Sequence, residues 1–128
     1  MTENEIGKLV VDSAIAVHRE LGPGLLESVY EVILAHQLRQ HGLRAERQVP
    51  IPIEYRGVQF DEAFRADILV EGKVVLELKS VEQITRVHKK QIQTYLRLTG
   101  LKLGFLLNFG EDLMKKGITR TVNGLVDD

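Results

Sequence analysis

From Phe64 to Lys79 the chain reads FRADILVEGKVVLELK, two apolar runs of strand length joined at Glu71-Gly72. A Gly-containing tight turn between two such runs predicts an antiparallel β-hairpin. Ile68-Leu69-Val70 and Val74-Val75-Leu76 mark both strands as largely buried. Yet Asp67, Glu77 and Lys79 stand inside them. A charge in a buried strand must be paired, hydrogen-bonded or bound to a metal. The hairpin therefore constrains the fold and the chemistry together.

The rest of the chain supplies covers for that hairpin. Ile6, Leu9, Val10, Ile15 and Val17 fall close to helical spacing, predicting a helix over 3–21 that ends before Gly22-Pro23-Gly24. A second helix is expected over 25–41, with Leu26, Val29, Tyr30, Ile33, Leu34 and Leu38 facing inward and Gly42 as its stop. Val49, Ile51, Ile53 and Tyr55 alternate with polar residues and prolines, as in a half-buried strand whose prolines suit a sheet edge or an irregular start. A third helix is expected over 86–99, ended by Gly100. KLGFLLNF, from Lys102, is nearly continuous in apolar residues, as in a strand covered on both faces, and GITRTV adds a short last strand. The order α-α-β-β-β-α-β, with that further strand, is an α/β (α+β) arrangement: a mixed central sheet flanked by helices. No repeat or linker divides the chain, so residues 1–128 are expected to form a single domain.

Composition narrows the function classes. Seventeen basic and 18 acidic side chains leave a net charge of −1, which is no footprint of a strongly nucleic-acid-binding surface but leaves room for local basic patches. The absence of cysteine excludes disulfides and thiolate metal sites. The first residues, MTENEIGKLVVDSAIAVHRE, are interrupted by charge and lack a signal-peptide core. No apolar run approaches the roughly 20 residues that cross a bilayer. A soluble, cytoplasmic protein without membrane contact is the expectation.

Asp67 lies five residues before Gly72 and Glu77 five after it, so the hairpin makes them approximate cross-strand neighbours. Side chains alternate along a strand, so Glu77 and Lys79 share a face with Val75, while Leu76 and Leu78 point the other way. Two facing carboxylates repel unless something compensates. A hard divalent cation such as Mg²⁺ suits one or two carboxylates plus water, and Lys79 could compensate the acids or sit beside a metal-bound water. The plainer reading is a cross-strand salt-bridge cluster. Glu27, inside the apolar GLLESVY, is a further candidate acid.

Asp67…Glu77-Leu78-Lys79 resembles the D…(D/E)xK core of the PD-(D/E)XK nuclease superfamily. Gly24-Leu25-Leu26-Glu27-Ser28-Val29-Tyr30 resembles the motif of the GxxExxY proteins, and Glu77 to Gly110 is similar to that family's second half. The resemblance spans roughly residues 5 to 125, including Gln91 and Tyr95 as a Q-x3-Y pair and a closing Asn-Phe-Gly. It implies a restriction-endonuclease-like core and metal-assisted phosphodiester hydrolysis with Mg²⁺ or Mn²⁺. Asp67, Glu77 and the Leu78 carbonyl would ligate the metal, Glu27 would act through the same metal, a second metal or a water, and Lys79 would orient or activate the attacking water. Gln91 and Tyr95, one helical turn apart, would face the substrate, the plainer reading of Tyr95 being a core-packing aromatic. Apart from the resemblance, His88, one turn before Gln91, is a candidate phosphate contact or a packed or solvated histidine. That substrate is expected to be nucleic acid, DNA before RNA, with a homodimer or partner protein supplying further surface. A non-catalytic binding or assembly module on the same fold is the alternative.

Other charged residues have plainer readings. Glu82 suits an exposed loop, Arg65 shares a strand face with Asp67 and suits an ion pair, and Arg86 to Lys90 suits a solvated helix start or a phosphate contact. His18 is given no chemical role.

Overall fold

The computed structural model describes residues 1–126; the last two residues of the expected 1–128 unit lie outside the described residues. The elements run α1 (Glu3–Leu21), α2 (Glu27–Gln40), β1 (Ala45–Tyr55), β2 (Val58–Val70), β3 (Val74–Lys79), α3 (Arg86–Thr99), β4 (Leu103–Asn108), α4 (Met114–Gly117) and β5 (Ile118–Val122). The five strands form one sheet in the order β1-β2-β3-β4-β5. β3 and β4 are parallel, and the other neighbours are antiparallel. β3 is central, and the proline-bearing β1 is an edge strand, as expected.

Local chemistry accounts for the helix limits. Thr2 caps α1 in a reciprocal capping box with Glu5, and Thr85 caps α3. Gly100 ends α3 in the left-handed conformation, with φ 77°. The hairpin between Val70 and Val74 turns through Glu71 and Gly72, both at positive φ. It is pinned by Glu71 N–H to the Arg44 carbonyl and by Arg44 N–H to Glu71 Oε2, at 2.8 and 2.6 Å.

Two cores sit on opposite sheet faces. Ile6, Val10, Ala14, Val17, Tyr30, Leu34 and Leu38 of α1 and α2 pack on Ile68, Val70, Leu76, Leu78, Phe105 and Leu107. On the other face Ile51, Ala66, Val75 and Leu96 form a smaller cluster with Phe64 and Leu69. All six β4 residues are buried, as the apolar run predicts.

The second helix departs from expectation. It starts at Glu27, and its buried residues are Tyr30, Glu31, Leu34, Ala35 and Leu38. Leu26 and Val29, expected inward, are exposed, and so is Tyr55 of β1. Tyr30 sets the helix's rotation. Its ring stacks on Phe109 at 4.4 Å between centroids, its hydroxyl donates to the Gly22 carbonyl at 2.5 Å, and the same oxygen accepts from Leu25 N–H at 3.1 Å. The turn before α2 is thus latched by the tyrosine of the Gly24-to-Tyr30 motif. Ser80 Oγ, donating to the Leu25 carbonyl at 2.8 Å, ties the same turn to the end of β3.

Asn108-Phe109-Gly110 holds that end from the other side. Buried Asn108 accepts from Val81 N–H (3.1 Å) and Gly110 N–H (3.0 Å) through Oδ1 and donates to the Val81 carbonyl (3.0 Å) through Nδ2. Phe109 N–H also reaches the Lys79 carbonyl at 2.8 Å. The strand carrying Glu77 and Lys79 is therefore fixed just past its last residue by backbone and amide bonds.

Candidate active site

The acids meet where the sheet opens. The β2–β3 ladder ends at Ile68↔Leu76, one step before Asp67 and Glu77 would pair. Leu78 N–H instead donates to Asp67 Oδ2 at 2.8 Å. A strand residue's N–H and C=O project to the same side, so the Leu78 carbonyl faces the same gap. The β1–β2 ladder breaks there as well. Arg47↔Ile68 and Val49↔Ala66 pair, but Gln48 and Asp67 between them do not. The break reverses the alternation of β2, because Ile68 packs in the larger core and Ala66 in the smaller one, though they are two residues apart. Asp67 sits at that crossover.

The electrostatics single out the same pair. Burial, the Asp67 charge and a hydrogen bond with Asp67 push the Glu77 carboxyl up to about 8, only partly offset by Lys79. Asp67 is also raised, chiefly by burial, against the Leu78 hydrogen bond. Two adjacent half-buried acids of this kind share a proton near neutral pH. Glu77 Oε1 is buried without a hydrogen-bond partner. Tyr95 is raised by burial and by the charges of Glu77 and Asp67, and its ring stacks on Phe64 at 3.7 Å. Asp67, Glu77, Lys79 and Tyr95 are therefore electrostatic neighbours.

Other expected site residues stand apart from this group. Glu27, in the exposed first turn of α2, where an acid also complements the helix dipole, lines an open cleft of about 350 Å³ with Ser28, Glu31, Arg47, Gln48, Asp67 and Leu78. Among the described residues no three His, Cys, Asp or Glu side chains gather closely enough to hold a metal ion, so Glu27 does not complete a three-acid group with Asp67 and Glu77. Gln91 is exposed on α3, one turn before Tyr95. His88 is engaged in the α3 cap: its Nδ1 accepts from Thr85 N–H at 3.0 Å and its own N–H reaches Thr85 Oγ1. Arg65 pairs with Glu62, and His18 Nε2 bonds the Glu111 carbonyl at 2.8 Å.

Sequence reasoning missed Glu31, Arg47 and Gln48. Glu31 is buried at 5% exposure and paired with Arg47 at 2.9 Å and with Gln48 Nε2 at 2.6 Å. The one available signal was its place four residues after Glu27, an acid among Tyr30, Val32 and Ile33. Arg47 and Gln48 gave none.

The donor set fits a divalent cation held by two carboxylates with water completing its shell. The observation that says so is the buried, unpartnered Glu77 Oε1 beside a second acid, since buried polar atoms are ordinarily satisfied.

Comparison with known proteins agrees with the fold. The crystal structure of SSO0001 superposes with a TM-score of 0.50 at 23% identity, covering 92% of this chain and 67% of that one, a likeness of fold alone. No curated protein matches the chain. The family model of the PD-(D/E)XK nuclease superfamily matches residues 4–121, a span that holds the five-stranded mixed sheet, its flanking helices and the Asp67–Glu77 gap, and the chain belongs to that superfamily.

Proposed function

We propose that the chain hydrolyses phosphodiester bonds of nucleic acid, DNA before RNA, with Mg²⁺ or Mn²⁺, as a single cytoplasmic domain of the GxxExxY group. The support is the Asp67–Glu77 pair: two half-buried acids at a gap in the sheet, one with a buried, unpartnered oxygen, beside Lys79. Asp67, Glu77 and the Leu78 carbonyl would hold the ion, with Glu27 at the rim of the adjoining cleft. When bound, such an ion lowers the pKa of water, polarises a phosphoryl oxygen and offsets developing charge.

The protein's own residues do the rest. Glu77 gives up its proton to solvent before it can ligate. Lys79, on the same strand face, orients the attacking water and stabilises charge on the phosphate. Tyr95, neutral because burial and both acids raise it, keeps an O–H to donate to a phosphate oxygen. Gln91 and His88 lie one and two turns before Tyr95 on α3, where a substrate backbone would pass. A surface of net charge −1 offers little grip on DNA, so a second copy or a partner protein extends it.

A non-catalytic module is the second reading, favoured by the lack of a three-acid group among the described residues. A cleavage assay separates the two. Single- and double-stranded DNA and RNA are incubated with Mg²⁺ or Mn²⁺, and Lys79→Ala is expected to cut at least about 100-fold more slowly than wild type. Cleavage that persists unchanged in the variant would belong to a contaminant.

A further inference from the structure

Among the described residues three non-glycine residues have positive φ: Arg56 and Glu71 in hairpin turns, and Gln48 inside strand β1, at 52°. This backbone is unfavourable for a residue with a Cβ, and when it persists away from a turn the surroundings hold it there. At Gln48 the surroundings are polar. Arg47 donates through Nε (3.0 Å) and Nη2 (2.9 Å) to Glu31 Oε2. That leaves Glu31 Oε1 to accept from Gln48 Nε2 at 2.6 Å. The same Nε2 lies 3.5 Å from Asp67 Oδ1. The other Asp67 oxygen is taken by Leu78 N–H.

We propose that Gln48 is a positioning residue for Asp67: its side-chain amide spans from buried Glu31 to the Asp67 carboxylate, and β1 takes a left-handed step at this residue to aim it. The step also removes the Gln48–Asp67 pair from the β1–β2 ladder, which frees Asp67 to turn toward Leu78. Glu31 and Arg47 form the anchor on α2 and β1. Each oxygen of Asp67 then faces one N–H donor, Leu78 N–H at 2.8 Å and the longer Gln48 contact at 3.5 Å, which together bias the rotation of the carboxylate before any ligand arrives. Outer partners of this kind change metal affinity by roughly 10- to 100-fold. This inference rests on the metal-dependent reading above.

The test measures two quantities on wild type, Gln48→Gly and Gln48→Asn: the Tm of the metal-free protein and Mn²⁺ affinity by calorimetry at pH 8. Glycine and asparagine both accept the left-handed backbone more readily than glutamine. Neither spans from Glu31 to Asp67, asparagine being one methylene short. Both variants are expected to keep a Tm within about 4 °C of wild type and to bind Mn²⁺ about tenfold more weakly. If one variant fails to fold, the other decides. Wild-type affinity in a folded variant would overturn the proposal alone. A Tm loss beyond about 8 °C in both would assign Gln48 a merely structural role and also overturn it. No Mn²⁺ binding by wild type would overturn the metal reading, and the proposal with it.

Discussion

In the metal-free protein, Glu77→Gln is expected to raise stability at pH 8 and to leave it nearly unchanged at pH 4.5. Glu77 holds its proton in the folded state up to about pH 8, whereas the unfolded chain releases it near 4.5. The folded state therefore binds more protons between those values, and stability falls as pH rises through that window. Its contribution is fully present below the unfolded pKa and is lost by the folded one. At about 1.4 kcal/mol per unit, and with part of the carboxyl reached by solvent, the loss is on the order of 4 kcal/mol. Asp67, also raised, adds loss of the same sign. A neutral glutamine removes the Glu77 part. Urea unfolding in EDTA at pH 5, 6.5 and 8 measures it, and parallel pH profiles for the two proteins would refute it. A cation at the pair reverses the sign, because its binding displaces the shared proton and favours alkaline pH.

Gly110→Ala is expected to destabilise the fold by a similar amount, for a purely steric reason. A Cβ at Gly110 would overlap the Val81 carbonyl oxygen and lie 2.7 Å from the Val81 nitrogen. Both are backbone atoms held by Asn108, so no flexible side chain can swing aside. Overpacking against backbone costs about 3 kcal/mol or more, a Tm loss of roughly 8 °C or more for a chain of this size. The damage would spread to the end of β3, because the same bonds fix the chain after Lys79. A melting curve within 2 °C of wild type would show that Val81 yields freely, against the clamp described above.

Legibility followed local chemistry. α1 and α3 could be bounded because a glycine marks where each stops, while the threonines that cap their starts went unread. β1 could be placed at an edge because proline cannot donate to a central ladder. The Asp67–Glu77 encounter could be counted outward from Gly72 because hairpin register is set by the turn. α2 was misoriented because its apolar residues outnumber the places in the core. Leu26 and Val29 lost theirs when Tyr30 turned toward Gly22 and Phe109. The four-residue α4 is too short to show a period. Glu31, Arg47 and Gln48 converge only when β1 is laid beside α2 and one residue adopts φ 52°, and neither leaves a trace in residue type. Such local departures from regular strand geometry gather beside functional groups more often than elsewhere.

Asp67 and Glu77 are expected to act as one cation-binding pair. Calorimetric titration of Mn²⁺ into wild type and Asp67→Ala at pH 8 tests that most directly. Saturable binding by wild type, weakened at least about 100-fold in the variant, is the predicted result, since removing one of two carboxylate ligands costs about 3 kcal/mol or more. Equal affinities, or no binding by the wild-type protein at pH 8, would contradict it.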